Sequence, residues 1–132
     1  MVVGLSTVIL QAVQTVGVSM SVDQTNVIDS IGIDSAKNEA LLIIADHLEW
    51  GCDEKHDKEH MYLLQEKVNT YLRFIESGEI YGVYPKSRNK ALVIRLIGKY
   101  DMCESAMIFF KRIQEALSKS GHKITFERLS VS

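Results

Sequence analysis

The chain has 132 residues, of which 46% are hydrophobic and 24% charged, so one compact domain is expected and neither a disordered chain nor a fibrous repeat. A formal net charge of -2 and an isoelectric point near 6.1 argue against a general nucleic-acid binder, whose affinity comes largely from neutralising phosphates. The charge is lopsided: residues 1–22 carry none, residues 23–59 carry ten acidic and three basic side chains, and residues 60–132 carry seven acidic and twelve basic.

The uncharged start opens on Met1-Val-Val-Gly-Leu-Ser-Thr-Val-Ile-Leu10. No Lys or Arg precedes the apolar run, and Gln11 and Gln14 interrupt it, which speaks against a secretion signal or a membrane span. At helical spacing Leu5, Ile9, Ala12, Val13 and Val16 share one side and Thr7, Gln11 and Gln14 the other. Met20 is a plausible alternative start. Residues 1–19 therefore read as an N-terminal extension, with an amphipathic helix docked on the domain and a cleaved signal as the other readings, and residues 20–132 as the single domain.

Val27–Ile33 is rich in β-branched residues, a polar turn follows over 34–39, and Ala40–Ala45 is apolar without alternation. A hairpin is expected, its second strand buried on both faces in the middle of a sheet. Beyond an acidic loop, Met61, Leu64, Val68, Tyr71, Leu72 and Ile75 recur at helical spacing, predicting a helix over about 57–76 closed by Gly78. Pro85, with Gly82, Val83 and Tyr84 before it, predicts a loop into a strand at Lys90–Ile97, where Leu92, Ile94 and Leu96 face one way and Val93, Arg95 and Ile97 the other. Asp101-Met-Cys-Glu104 fits a capping box for a helix burying Ala106, Phe109, Phe110, Ile113 and Leu117 and ending at Gly121, and Lys123–Val131 closes the chain as a strand. The fold expected is α+β: one mixed sheet in β-β-α-β-α-β order with two helices on a single face.

The densest polar run, Asp46 to His60, holds three of the four histidines. His56-Asp-Lys-Glu-His60 matches the H-x-x-E-H string of one zinc-protease class, and His47, His56 and His60 are the residues a small metal-dependent hydrolase would use. Against it, the string is short, and negative charge near a helix start is favoured by the helix dipole alone, by ~0.3–1 kcal/mol per residue. Cys52 and Cys103 are far apart with no C-x-x-C pair, which suits a reducing cytoplasm, and a chain of this size buries an adequate core without a disulfide. Trp50 either folds back over the sheet edge or stands as an exposed anchor. In the second case Asp46, His47, Glu49, Asp53 and Glu54 complete an acidic surface for a protein partner with a basic face. Lys86, Arg88, Lys90, Arg95 and Lys99, with Tyr81, Tyr84 and Tyr100, are candidates for nucleic-acid contact, although lysines guarding a strand edge explain them more simply. Neither a phosphate-binding glycine loop nor a G-x-S-x-G elbow is present.

Val27-Ile-Asp29, Asp46-His-Leu-Glu-Trp50, His60, Leu64-Gln-Glu-Lys67, Asn69, Tyr71-Leu72 and Phe74-Ile-Glu-Ser-Gly78 together resemble a family of small uncharacterised bacterial proteins, a domain of unknown function, over about residues 20–128. The resemblance implies no enzyme activity and no cofactor. The function expected is a non-enzymatic protein-binding module, most concretely an immunity-type inhibitor of a toxin, by analogy with other small acidic α+β proteins.

Overall fold

The computed structural model describes Val22 and residues 24–129, Glu54 by its backbone only, so the readings of residues 1–19 and of Val131 lie outside the described residues. The elements are β1 (Ser30–Asp34), β2 (Glu39–Asp46), α1 (Glu54–Glu76), α2 (Glu79–Val83), a 3-10 turn (Pro85–Ser87), β3 (Ala91–Gly98), α3 (Glu104–Lys119) and β4 (Lys123–Arg128). One mixed sheet runs β1-β2-β3-β4, with β1 antiparallel to β2 and β2, β3 and β4 mutually parallel. Among the described residues, no helix is long and apolar enough to cross a membrane.

Register explains the core. Ile31, Leu42, Ile94 and Ile124 lie side by side, as do Leu96 and Phe126, so they share one sheet face. Leu64, Val68, Tyr71 and Leu72 of α1 and Phe110, Ile113 and Leu117 of α3 join the same buried cluster, which puts both long helices on that face. The other face carries Leu41, Ile43, Arg95 and Ile97, all half-buried. β2 is thus central as expected, but it alternates between buried and half-buried positions instead of being covered on both faces. A two-layer fold leaves one sheet face outside the core, and the apolar Leu41, Ile43 and Ala45 on it disguise the alternation of β2.

Four local expectations are corrected. β1 begins at Ser30 rather than Val27, because Val27 N–H bonds Gln24 O in a turn. The first helix starts at Glu54 because Asp53 caps it, its carboxylate accepting His56 N–H at 2.7 Å. The capping box fails: Cys103 is the N-cap, and Asp101 instead pairs with Arg128 at 3.1 Å. The stretch before Pro85 is not all loop, since Gly78, at φ 81, ends α1 and opens the five-residue α2.

A buried polar network ties the segment before β1 to α1. Lys67 Nζ donates to Gln24 O, Val27 O and Asp29 Oδ1, each at 2.7 Å, and Asp29 Oδ2 accepts Ala45 N–H at 3.0 Å. Tyr71 accepts Asp29 N–H at 2.7 Å and donates its hydroxyl proton to Ile43 O. Burial first, and the Asp29 carboxylate second, push the Tyr71 phenol well above its ordinary value, although its bond with the Asp29 backbone works the other way. The fold therefore keeps this proton when an unfolded tyrosine would lose it, at about pH 10. As pH rises past that point the unfolded state binds fewer protons and stability falls, by up to about 1.4 kcal/mol per pH unit. Urea midpoints from pH 8 upward should fall less steeply in Tyr71→Phe than in the wild type, and equal slopes would refute this assignment.

Candidate functional site

Parallel strands bring their carboxyl ends to one edge of the sheet, and the loops that leave those ends are where open α/β sheets build sites. Here Asp46 of β2 is in register with Gly98 of β3, so the 47–53 loop into α1 and the 99–103 loop into α3 emerge side by side. Between them lies an open cleft of about 1120 Å³ lined by residues that include His47, Glu49, Asp53, His56, His60 and Tyr100.

The 47–53 loop is held from beneath. Asp46 is 3% exposed, and its two carboxylate oxygens sit 2.9 and 2.7 Å from His60 Nε2. The same carboxylate accepts Leu48 N–H at 3.1 Å, turning the chain as it leaves β2. Trp50 stacks on the buried His60 ring with centroids 3.6 Å apart. Asp57, 1% exposed, reaches back from α1 to accept Gly51 N–H at 2.7 Å and Cys52 N–H at 2.8 Å. Gly51 lets the loop lie close to His56, whose ring would have to turn away from a Cβ placed 2.7 Å from it.

The sequence candidates therefore separate. Asp46 is buried under the loop, and Trp50 is half-buried against His60 of α1 rather than over the sheet edge. His47, Glu49 and Asp53 are exposed, with Asp53 also engaged as the helix cap. Nothing is described of the Glu54 side chain. His47, His56 and His60 all line the cleft, yet among the described residues no three His, Cys, Asp or Glu side chains converge to hold a metal ion.

The basic cluster does not gather into one surface. β3 separates Lys90 from Lys99 by about 25 Å. Arg88 lies over Tyr81 and Lys99 over Tyr100, so two of its cations already rest on its own aromatic rings. Nor is β3 an edge strand, so the edge-guarding explanation of these lysines fails.

The two cysteines, absent from the partner-binding residues expected above, come together at this edge of the sheet. Cys103 Sγ lies 3.9 Å from Asp57 Oδ2, the oxygen that also accepts Cys52 N–H, so one carboxylate oxygen joins the two cysteines. The hydrogen bond to Cys103 is the main cause that pushes the Cys52 thiol up to about 11, with burial and the neighbouring charges of Cys103, Asp57 and Asp53 adding to it. Burial, and to a smaller extent the Asp57 carboxylate, raise Cys103, but hydrogen bonds from Cys52, Ser105 and the Ala106 backbone outweigh them and hold that thiol below its ordinary value. A signal existed in the sequence: each cysteine follows its strand by five or six residues and stands one or two residues before a helix, so parallel pairing of the strands places the two together.

No curated protein and no solved structure matches the chain. A family model does, over residues 20–130, close to the span of the resemblance read from Val27 to Gly78 and beyond. The chain belongs to DUF6572, a family of unknown function.

Proposed function

We propose that this protein is a non-enzymatic binding module that presents the loop and helix start at 47–59 to a protein partner with a basic surface, in the manner of an immunity-type inhibitor. The observation that carries this reading is the fixing of an exposed acidic loop from below. Glu49, Asp53 and Glu59 face solvent, while Trp50 on His60 and the Asp57 carboxylate on two loop N–H groups hold the backbone between them. A loop already ordered loses little conformational freedom on binding, and an acidic rim speeds encounter with a basic face. Asp46 acts beneath the surface, as a support.

Charge reversal tests it. Glu49 and Glu59 have exposed side chains outside the buried supports, so Glu49→Lys/Glu59→Lys should fold normally by circular dichroism. A partner captured at low salt by the wild type should be released at high salt, be inhibited by the wild-type protein, and bind the double variant at least about tenfold more weakly. Equal binding by the variant, or no salt-sensitive partner at all, would remove the proposal.

A further inference from the structure

Parallel pairing of β2 and β3 brings the two loops that carry Cys52 and Cys103 side by side, and nothing in the proposed binding role uses their thiols. Cys52 is exposed on the loop, with φ 63, and Cys103 is half-exposed as the N-cap of the 16-residue α3. One carboxylate oxygen, Asp57 Oδ2, takes Cys52 N–H at 2.8 Å and the Cys103 thiol at 3.9 Å, while Ser105 Oγ lies 3.4 Å from Cys103 Sγ. Neither thiol is committed to the core or to a disulfide. We infer that Cys52 and Cys103 are a peroxide-sensitive dithiol that closes to a disulfide, tying the 47–53 loop to the start of α3.

The two thiols have unequal parts. Thiolates, not thiols, attack peroxides, and the surroundings of Cys103 favour its thiolate whereas those of Cys52 favour its thiol. Cys103 sulfur attacks one oxygen of hydrogen peroxide; the O–O bond breaks, hydroxide leaves, and Cys103 becomes a sulfenic acid. Cys52 sulfur then attacks Cys103 sulfur, the S–S bond forms, the S–O bond breaks, and the departing hydroxide takes the Cys52 proton as water. The first hydroxide takes up the proton that Cys103 gave up. The two sulfurs together lose two electrons, and the peroxide becomes two waters.

Hydrogen peroxide added to the full chain should abolish both free thiols within a monomer, lower its mass by two hydrogens, and give a single Cys52–Cys103 linked peptide. Closing so long a loop should raise the melting temperature by roughly 5–15 °C, reversed by dithiothreitol. In Cys52→Ser, the Cys103 sulfenic acid has no resolving thiol and should be trapped by dimedone, whereas Cys52 in Cys103→Ser should react no faster than free cysteine. Disulfide-linked dimers in place of the monomeric product, over-oxidation of Cys103 while Cys52 stays a free thiol, or equal trapping in the two single variants would overturn the inference. None of these readouts depends on a binding partner.

Discussion

Replacing Lys67 with methionine is expected to lower the unfolding free energy by about 3–5 kcal/mol, a large part of the 5–15 kcal/mol that holds a typical domain. Both side chains of the Lys67–Asp29 pair are 0% exposed. The ammonium has three protons, and each meets an acceptor at 2.7 Å: two carbonyls of the segment before β1 and one Asp29 oxygen. Methionine fills much of the same volume, so the loss is electrostatic: two carbonyls and a carboxylate keep their burial and lose their donor. Arginine should not rescue the site, because a flat guanidinium cannot direct protons at three acceptors gathered around one point. Adding Asp29→Asn to Lys67→Met should recover part of the loss, since the uncompensated charge goes while an oxygen remains for Ala45 N–H. Urea denaturation of the four proteins checks this, and a single-variant loss below about 1 kcal/mol would show that the pair contributes little net stability.

The same pair marks the boundary of what the sequence discloses. α1 and β3 are legible because Leu64, Val68 and Tyr71 repeat at the helical period, and Leu92, Ile94 and Leu96 at the strand period. The ends of elements follow other rules. Asp53 sets the start of α1 by capping, about two turns before the apolar rhythm begins at Met61. Asp101 has the letters of a cap, but Arg128 of β4 takes its carboxylate, a partner that no local window contains. α2, five residues long with Gly82 inside, is too short to express a period.

Charge is the least legible property. Of the ten acidic residues in the block at 23–59, Asp29, Asp46 and Asp57 are buried and fully engaged in holding backbone or a cation. Their partners lie far off in sequence, 38 residues between Asp29 and Lys67 and 14 between Asp46 and His60. The block is therefore less acidic at its surface than its composition suggests, and the candidate surface contracts to Glu49, Asp53, Glu59 and their neighbours. The cysteines invert the lesson: 51 positions apart and unremarkable as letters, they become neighbours once β2 and β3 are known to be parallel.

Removing the His60 ring, as in His60→Ala, should be the next most damaging change, at about 3 kcal/mol or more. His60 is 4% exposed, and two supports depend on it. Its Nε2 is held between both oxygens of the buried Asp46, a carboxylate that also accepts Leu48 N–H, and its ring face carries Trp50. Alanine leaves a carboxylate short of a donor and a cavity beneath an indole, and the two losses reinforce each other because they share one side chain. Trp50 is the sole tryptophan, so its emission reports on this loop alone. In His60→Ala it should shift to the red under conditions where far-ultraviolet circular dichroism still shows a folded chain, and the proposed partner should bind more weakly even though no surface charge has changed. Asp46→Asn separates the two supports: it weakens the bond to Nε2 while leaving the ring in place, so Trp50 emission should stay near that of the wild type while stability falls. If His60→Ala lowers stability with no change in Trp50 emission, the stack does not position the loop, and the fixed acidic surface at 47–59 loses its physical basis.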